Sequence, residues 1–315
     1  MKRIFDLEYQ DFMNYDKREI INSIKASEGR TVMAETVISI MPLLDGVSNP
    51  ETASAFGADM ITLNTFDLEN PFIFGYDDDF NMFGGIKQIG EQLNKRIEDN
   101  SKDENYIKSF KSIVGRFIGL NLEPVPKKTT YPEGMKLTEA NLIKAKNLGF
   151  DYVVVTANPK TNISNQDILD GVKTAHRIVG SDMVIIAGKM HGAGTGTYYD
   201  EQFINDLAAA GADIVLLPAP GTVMGFDLMQ AQKLIQTIHQ EGLLAMSTIG
   251  TSQEGASKAV IENIALMAKQ AGVDIQHIGD AGLSGIASPE NITALSIAIR
   301  GVRHTYRQIA RSKRR

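Results

Sequence analysis

Short hydrophobic runs of strand length recur along the chain and alternate with segments of helical period. The runs are largely apolar throughout, as expected of parallel strands that are covered on both faces. Eight such runs are present, at 31–35, 59–64, 116–123, 151–158, 182–189, 213–220, 243–249 and 274–281. They predict eight strands.

The segments between these runs carry helix start and stop signals. Helices are predicted after Asn49, Thr138 and Asn165, and at 200–213, 227–242, 255–274 and 288–309. Three of them end in the motifs LGFD, AGAD and AGVD, where glycine supplies a left-handed cap at low steric cost. Because right-handed crossovers return the eighth strand beside the first, the pattern predicts an α/β fold, a closed (β/α)8 TIM barrel. An open doubly wound sheet is the alternative, but no phosphate fingerprint follows the first strand.

The pattern also divides the chain, which we interpret as one domain over 1–315 with its barrel at 31–300. Residues 1–30 form a helical extension, in which Asp16 and Glu19 predict a capping box. The aromatic stretch 66–85, between the second strand and its helix, is too long for an ordinary connection and predicts a lid or a subunit contact. An ordered surface loop is the alternative. Residues 301–315 form a basic carboxyl-terminal tail, interpreted as a solvated helix end.

Composition supports a soluble globular protein, with 43% hydrophobic and 22% charged residues among 315. The net charge of -6 argues against nucleic acid or an anionic membrane as a partner. The chain has no cysteine, which excludes disulfides, thiolate nucleophiles and cysteine metal sites. No apolar run approaches roughly 18 residues, and no signal peptide is recognisable, so a cytoplasmic protein is predicted.

The stretch DMVIIAGKMHGAGTG, at 182–196, ends an apolar run in two titratable groups. Side chains alternate along a strand, so Lys189 and His191 share the direction of Ile185 and Ala187. Active sites of such barrels lie at the carboxyl ends of the strands. We therefore predict that this lysine and histidine face the site.

Other runs end in polar residues in the same way. Because carboxyl ends of barrel strands meet at one face, these side chains are expected to converge on one site. The candidates are Glu35, Asn64, Asn121, Glu123, Asn158, Ser247 and Asp280.

The loops after the seventh and eighth strands are rich in glycine and small hydroxyl residues. In barrels these two loops commonly hold a phosphate through backbone amides and hydroxyls. The sequence predicts a phosphate site there, with turn chemistry as the alternative. Its candidates are Gly250, Thr251, Ser252, Gly279, Gly282 and Ser284.

Two mechanisms are compatible with these residues. Lys189 can form an imine with a carbonyl substrate or act as a fixed charge that stabilises an enolate. His191 suits proton transfer, and Asn158 completes the catalytic candidates. Alternatively, Glu35, Glu123 and Asp280, with His191 or His277, can hold Mg²⁺ or Mn²⁺ for enolate chemistry.

The chain resembles known phosphate-binding barrels of the aldolase and epimerase kind over about residues 30–300. More loosely, GVSNPETASAFGADMITLN, at 46–64, is similar to the first strand–helix–strand unit of the phosphoenolpyruvate mutase and isocitrate lyase superfamily. The whole also resembles an uncharacterised bacterial family with this barrel. The superfamily resemblance implies acidic magnesium ligands and, in many lyases, a catalytic loop with a cysteine. This chain lacks the cysteine, and its run Asp77 to Asp79 falls in a loop.

The sequence therefore predicts a barrel enzyme that acts on a small phosphorylated or carboxylated metabolite through enolate or imine chemistry. A lyase, aldolase or isomerase is the expected class. The alternatives are a regulatory barrel that binds a phosphometabolite without catalysis, and a structural or assembly protein. A homo-oligomer is left open.

Overall fold

Eight parallel strands close into a barrel in the computed structural model, which describes residues 1–80, 85–158, 161–190 and 200–311. The order of the strands in the barrel follows the chain, and β1 pairs with both β2 and β8. The strands are β1 (Thr31–Val37), β2 (Met60–Asn64), β3 (Phe117–Leu122), β4 (Tyr152–Val155), β5 (Val184–Gly188), β6 (Ile214–Pro218), β7 (Leu244–Ile249) and β8 (Ile275–Ile278). Each coincides with one of the eight apolar runs, so the predicted (β/α)8 barrel is confirmed.

Helices surround the barrel and precede its first strand. They are α1 (Tyr9–Asn14), α2 (Lys17–Ala26), α3 (Asn49–Ala55), α4 (Gly85–Lys102), α5 (Tyr106–Val114), α6 (Glu139–Leu148), α7 (Asn165–Val179), α8 (Glu201–Ala210), α9 (Leu228–Gln240), α10 (Lys258–Ala271) and α11 (Pro289–Ala310). The predicted left-handed glycine caps end α6, α8 and α10. Two helices, α4 and α5, connect β2 to β3.

The aspartate in each of these glycine motifs joins two adjacent strands at the amino end of the barrel. Asp151 accepts a hydrogen bond from the backbone N–H of Ile118, at 2.8 Å from Oδ2. The same contact recurs between Asp213 and Ile185, Asp274 and Ala245, and Asp59 and Val32. The motif thus ends a helix and fixes the start of the preceding strand, away from the face where the site is predicted.

The barrel interior is apolar over most of its depth. Inward side chains such as Met33, Phe117 and Tyr152 form one cluster with Phe12 and Ile20 of the amino-terminal segment. Asp16 and Glu19 form the predicted capping box of α2. The amino-terminal helices therefore close one end of the barrel, which leaves the carboxyl ends of the strands for a site.

Because Gly119 of β3 has no side chain, it leaves space for the Tyr152 ring inside the barrel. A Cβ atom on Gly119 would lie 2.2 Å from the ring. We expect Gly119→Ala to lower the free energy of unfolding by about 1–3 kcal/mol, because the buried ring must shift in a packed core. Urea denaturation of both proteins measures this, and unchanged stability would show that the ring moves freely.

The aromatic segment after β2 packs against the barrel. Phe66 and Ile73 are buried between strands and helices. Asp77 accepts hydrogen bonds from the Ile73 N–H at 2.7 Å and from the Tyr106 hydroxyl at 2.5 Å. Its described part is therefore an ordered, packed segment, and residues 81–84 lie outside the described residues. A role as lid or subunit contact stays a prediction.

The predicted basic tail continues the last helix as far as it is described. Helix α11 bends at Gly301 and ends at Ala310. Arg300 is buried and pairs with Asp59, with 2.6 Å between Nη1 and Oδ2. Gln308 donates to the other oxygen of the same carboxylate at 2.9 Å. Of these two residues only Gln308 belongs to the predicted tail, and its contact with Asp59 holds the end of α11 against the start of β2. None of the described helices is long and apolar enough to cross a membrane.

Candidate active site

The barrel interior changes from apolar to polar at the carboxyl ends of its strands. In β1, Met33 is followed two residues later by Glu35, and in β8, Ile275 is followed by His277. In β3, Phe117 is followed by Gly119 and then Asn121. These polar side chains are buried. They lie at the face where barrels of this type carry their sites.

Glu35 lies at the centre of this polar layer. Its Oε1 accepts a hydrogen bond from Asn121 Nδ2 at 2.5 Å, and its Oε2 lies 3.3 Å from His277 Nε2. A histidine that donates through Nε2 keeps Nδ1 as an acceptor. Neither His277 Nδ1 nor Asn121 Oδ1 has a hydrogen-bond partner among the described residues. The layer thus retains acceptors for a bound molecule. The predicted contact between Glu35 and Asn121 is observed.

Asp280 lies just beyond β8 and reaches the same layer. Its Oδ2 accepts a hydrogen bond from Asn64 Nδ2 of β2 at 2.6 Å. Burial and the negative charge of Glu35 raise the pKa of Asp280 to about 7, although the bond from Asn64 opposes the shift. A carboxyl group of this pKa exchanges protons readily near neutral pH.

Asp280 is expected to make the stability of the protein depend on pH. With a raised pKa, the folded state binds a proton that the unfolded state releases at about pH 3.9. The contribution of Asp280 to stability is therefore greatest below the unfolded-state pKa and is lost as the pH rises towards 7. Between about pH 5 and pH 8, the wild type should lose about 1–3 kcal/mol more than Asp280→Asn, measured by urea denaturation. Equal losses in both proteins would contradict this.

Glu123 forms a second acidic group near the end of β3. It is buried and accepts hydrogen bonds from the side chain and the backbone N–H of Asn158. The phenol of Tyr131, in the loop before α6, also donates to it. Burial raises the pKa of Glu123, the negative charge of Glu35 adds to the shift, and these donors oppose it. Glu123 and Asn158 are thus brought together as the sequence predicts.

Lys189 points in another direction than predicted. Ile185 and Ala187 precede Lys189 at every second position and pack in the cluster between strands and helices. The next residue, Met190, packs instead against the barrel interior. Lys189 Nζ donates to Asn165 Oδ1 at 2.7 Å, at the start of α7. Burial lowers the pKa of this lysine. The side chain therefore lies on the helix side of β5 and not beside Glu35, and a role of Lys189 in the site stays a prediction. His191 lies outside the described residues.

The predicted carboxylate metal set is not assembled as a cluster. Across the described ranges, no group of three or more histidine, aspartate or glutamate side chains is positioned to hold a metal ion. Glu35, Glu123 and Asp280 instead accept hydrogen bonds from different asparagines. A requirement for Mg²⁺ or Mn²⁺ stays a prediction.

The loops after β7 and β8 satisfy many of their own polar groups. Thr251 donates through its hydroxyl to the carbonyl of Thr222 at 2.7 Å, and the Gly279 N–H donates to the Ile249 carbonyl at 2.9 Å. Gly282 and Ser284 belong to a tight turn, where a Cβ on Gly282 would lie 2.2 Å from the Ile286 carbonyl oxygen. These contacts agree with the alternative of turn chemistry.

Of the remaining phosphate candidates, Ser247 lies on the same face of β7 as Ala245 and Ile249, which pack between strands and helices. It therefore lies on the helix side of β7, whereas its neighbour Thr248 faces inward beside His277. Gly250 accepts from the Gln253 N–H in the turn that contains Ser252. Phosphate binding by these residues stays a prediction.

Sequence reasoning did not assign two residues that contact the site. Glu254 is buried in the loop after β7 and accepts the Ala281 N–H at 3.0 Å. A carboxylate within an otherwise neutral glycine- and serine-rich loop was its signal. Tyr131 carries no comparable signal, because its contact with Glu123 depends on how a long loop folds back.

Fold and site together define a (β/α)8 barrel with an enclosed polar layer at the carboxyl ends of its strands. The chain belongs to the family described as Domain of unknown function (DUF7916), whose model matches residues 5–315. This confirms the expected membership of a barrel family without an assigned activity. A comparison with curated proteins gives no match.

Several solved structures resemble this chain. The carboxyl transferase domain from Rhizobium etli pyruvate carboxylase is 15% identical, with a TM-score of 0.50, and the match covers 96% of this chain and 51% of that one. For 2,3-dimethylmalate lyase, a member of the PEP mutase/isocitrate lyase superfamily, identity is 12%, TM-score 0.49 and coverage 84% and 81%. Thiamine phosphate pyrophosphorylase from Pyrococcus furiosus is 12% identical, with a TM-score of 0.44 and coverage of 86% and 96%. At 15% identity the likeness to the carboxyl transferase domain is one of fold alone.

Proposed function

We propose that this protein is an enzyme of lyase or isomerase type that removes or returns a proton next to the carbonyl of a small carboxylated metabolite. The observation that carries the proposal is the convergence of Glu35, His277 and Asp280 at the carboxyl end of an otherwise apolar barrel. Acid–base groups enclosed away from water are what proton abstraction from carbon requires.

Asp280 is the group that exchanges the proton in this proposal. Its pKa near 7 lets it take up and return a proton at neutral pH. The hydrogen bond from Asn64 leaves one carboxyl oxygen for this task, because Asn64 donates to Oδ2. Asp280 thereby acts as base and then as acid.

His277 and the inward hydroxyls orient the substrate. The hydroxyl oxygens of Thr156 and Thr248 have no hydrogen-bond partner among the described residues. The same is true of His277 Nδ1. The threonine hydroxyls can donate to an enolate oxygen, and Glu35 holds the histidine in one orientation.

Proton exchange tests the proposal without knowledge of the complete reaction. The protein is incubated in D₂O with pyruvate, oxaloacetate, 2-oxoglutarate or phosphoenolpyruvate, each with and without Mg²⁺ or Mn²⁺. We expect the proton NMR signal next to the carbonyl of at least one keto acid to disappear faster than in protein-free samples.

Thermal-shift measurements on the same compounds separate the alternatives. A ligand at about a hundred times its dissociation constant stabilises by about 2.7 kcal/mol, which raises the midpoint measurably. Thermal stabilisation by a compound without proton exchange would favour a regulatory, ligand-binding function over catalysis. Neither stabilisation nor exchange would favour an assembly role.

Imine chemistry at Lys189 is a second candidate, favoured by the burial that lowers the pKa of this lysine. It requires Lys189 to leave Asn165 when substrate binds. Borohydride trapping with each keto acid, followed by mass spectrometry of the peptide that contains Lys189, tests it. An unmodified Lys189 would leave the enolate route.

A further inference from the structure

The position between the loops after β7 and β8, where barrels commonly hold a phosphate, contains an acidic side chain of this chain. Glu254 lies in the short helical turn Gln253–Gly255, and only 2% of the residue is exposed. Its Oε1 accepts the backbone N–H of Ala281 at 3.0 Å. A phosphate oxygen in such a site would accept the same kind of donor.

The neighbouring backbone is shaped around this carboxylate. A Cβ on Gly279 would lie 2.9 Å from Glu254 Oε1, so glycine leaves the room that the carboxylate fills. Asn291 Nδ2 donates to the carbonyls of Glu254 and Ala256, both at 2.8 Å, and this fixes the turn that carries Glu254. The carboxylate is thus held between the two loops by three segments of the chain.

The electrostatics at this position oppose an added anion. Glu254 lies near enough to Asp280 for its negative charge to contribute to that group's raised pKa. Its second oxygen, Oε2, has no hydrogen-bond partner among the described residues. A phosphate placed here would meet the carboxylate of Glu254 and would have to compete with it for the Ala281 N–H.

We propose that Glu254 fills the phosphate position of this barrel with an anion of the chain itself, so that the substrate carries no phosphate at this end. This inference rests on the proposed function, because it narrows the substrate class to carboxylated metabolites that carry no phosphate at this end. Glu254 is then a specificity-determining residue that excludes phosphorylated analogues.

Binding of inorganic phosphate tests the inference. We expect no saturable binding to the wild type in equilibrium dialysis with radiolabelled phosphate. Glu254→Ala, which frees both the space and the Ala281 N–H, should bind phosphate at least about tenfold more tightly than the wild type. In ¹⁵N-labelled Glu254→Ala, the amide signals of Gly279 and Ala281 should shift on titration.

Glu254→Gln is the matched control, because its carboxamide still fills the space and can accept from Ala281. It should bind phosphate more weakly than Glu254→Ala. Saturable phosphate binding to the wild type with shifts at Ala281 would overturn the inference, as would equal affinities of the wild type and Glu254→Ala. If Glu254→Ala does not fold, the phosphate affinity of Glu254→Ser is compared with that of the wild type, and the same two outcomes apply. Absence of proton exchange with keto acids would contradict the proposed function and leave this binding result standing.

Discussion

Asp280→Asn is expected to slow deuterium exchange into a keto acid substrate by about 10²–10⁴-fold, the usual contribution of a positioned acid–base group. Asparagine has nearly the shape of aspartate, and its carbonyl can still accept from Asn64. The variant should therefore keep its fold and lose only the proton-transfer group. The exchange rate is measured by proton NMR, alongside urea denaturation to confirm the fold.

Asp170→Asn provides the control. Asp170 is an exposed carboxylate on α7 that pairs with Lys173. Its replacement should leave the exchange rate unchanged. If Asp280→Asn exchanges as fast as the wild type while remaining folded, Asp280 is not the proton-transfer group and Glu35 becomes the next candidate.

Arg300→Met is expected to lower the free energy of unfolding by about 3–5 kcal/mol. The Asp59–Arg300 pair is completely buried, and Asp59 also accepts from the Val32 N–H and from Gln308. Methionine fills much of the space of arginine but leaves the buried Asp59 without its hydrogen-bonded guanidinium, although Arg116 still acts on it at longer range. The cost arises from loss of the buried ion pair at this carboxylate, and urea denaturation at neutral pH measures it.

Arg177→Met is the matched control, since Arg177 pairs with Glu139 at the surface, where more than half of each side chain is exposed. Exposed pairs contribute about 0–1 kcal/mol. Similar losses for both variants would show that burial of the charge does not determine the effect. A small loss for Arg300→Met alone would show that water or another group replaces the guanidinium.

Much of the fold could be predicted because it depends on local patterns. Parallel strands covered on both faces give continuous apolar runs, and all eight were recognisable. Helix ends were equally local, since the capping box of Asp16 and Glu19 and the glycine caps involve neighbours in sequence. The pairing of Arg300 with Asp59 was not predictable, because it joins residues far apart in the chain.

The direction of Lys189 shows where such patterns fail. Both faces of β5 are apolar, so alternation alone does not indicate which set of residues faces the barrel interior. The packing of Ile185 with the helices and of Ile186 with the interior decides it. Ser247 was assigned to the site for the same reason and lies on the helix side.

The sequence by itself determined the eight strands, their alternation with helices and the polar residues that end them, because these are properties of neighbouring residues. Only the tertiary structure decided which of those residues meet. Asn64 and Asp280 are 216 positions apart, and Asn121 and Glu35 are 86 apart, yet each pair is hydrogen-bonded. Likewise, closure of the barrel brings the loops after β7 and β8 together, so that Glu254 accepts from Ala281. Such contacts depend on the pairing of strands around the barrel. That pairing places Glu35 near Asp280, which raises the pKa of Asp280, and it places Glu254 between the two loops.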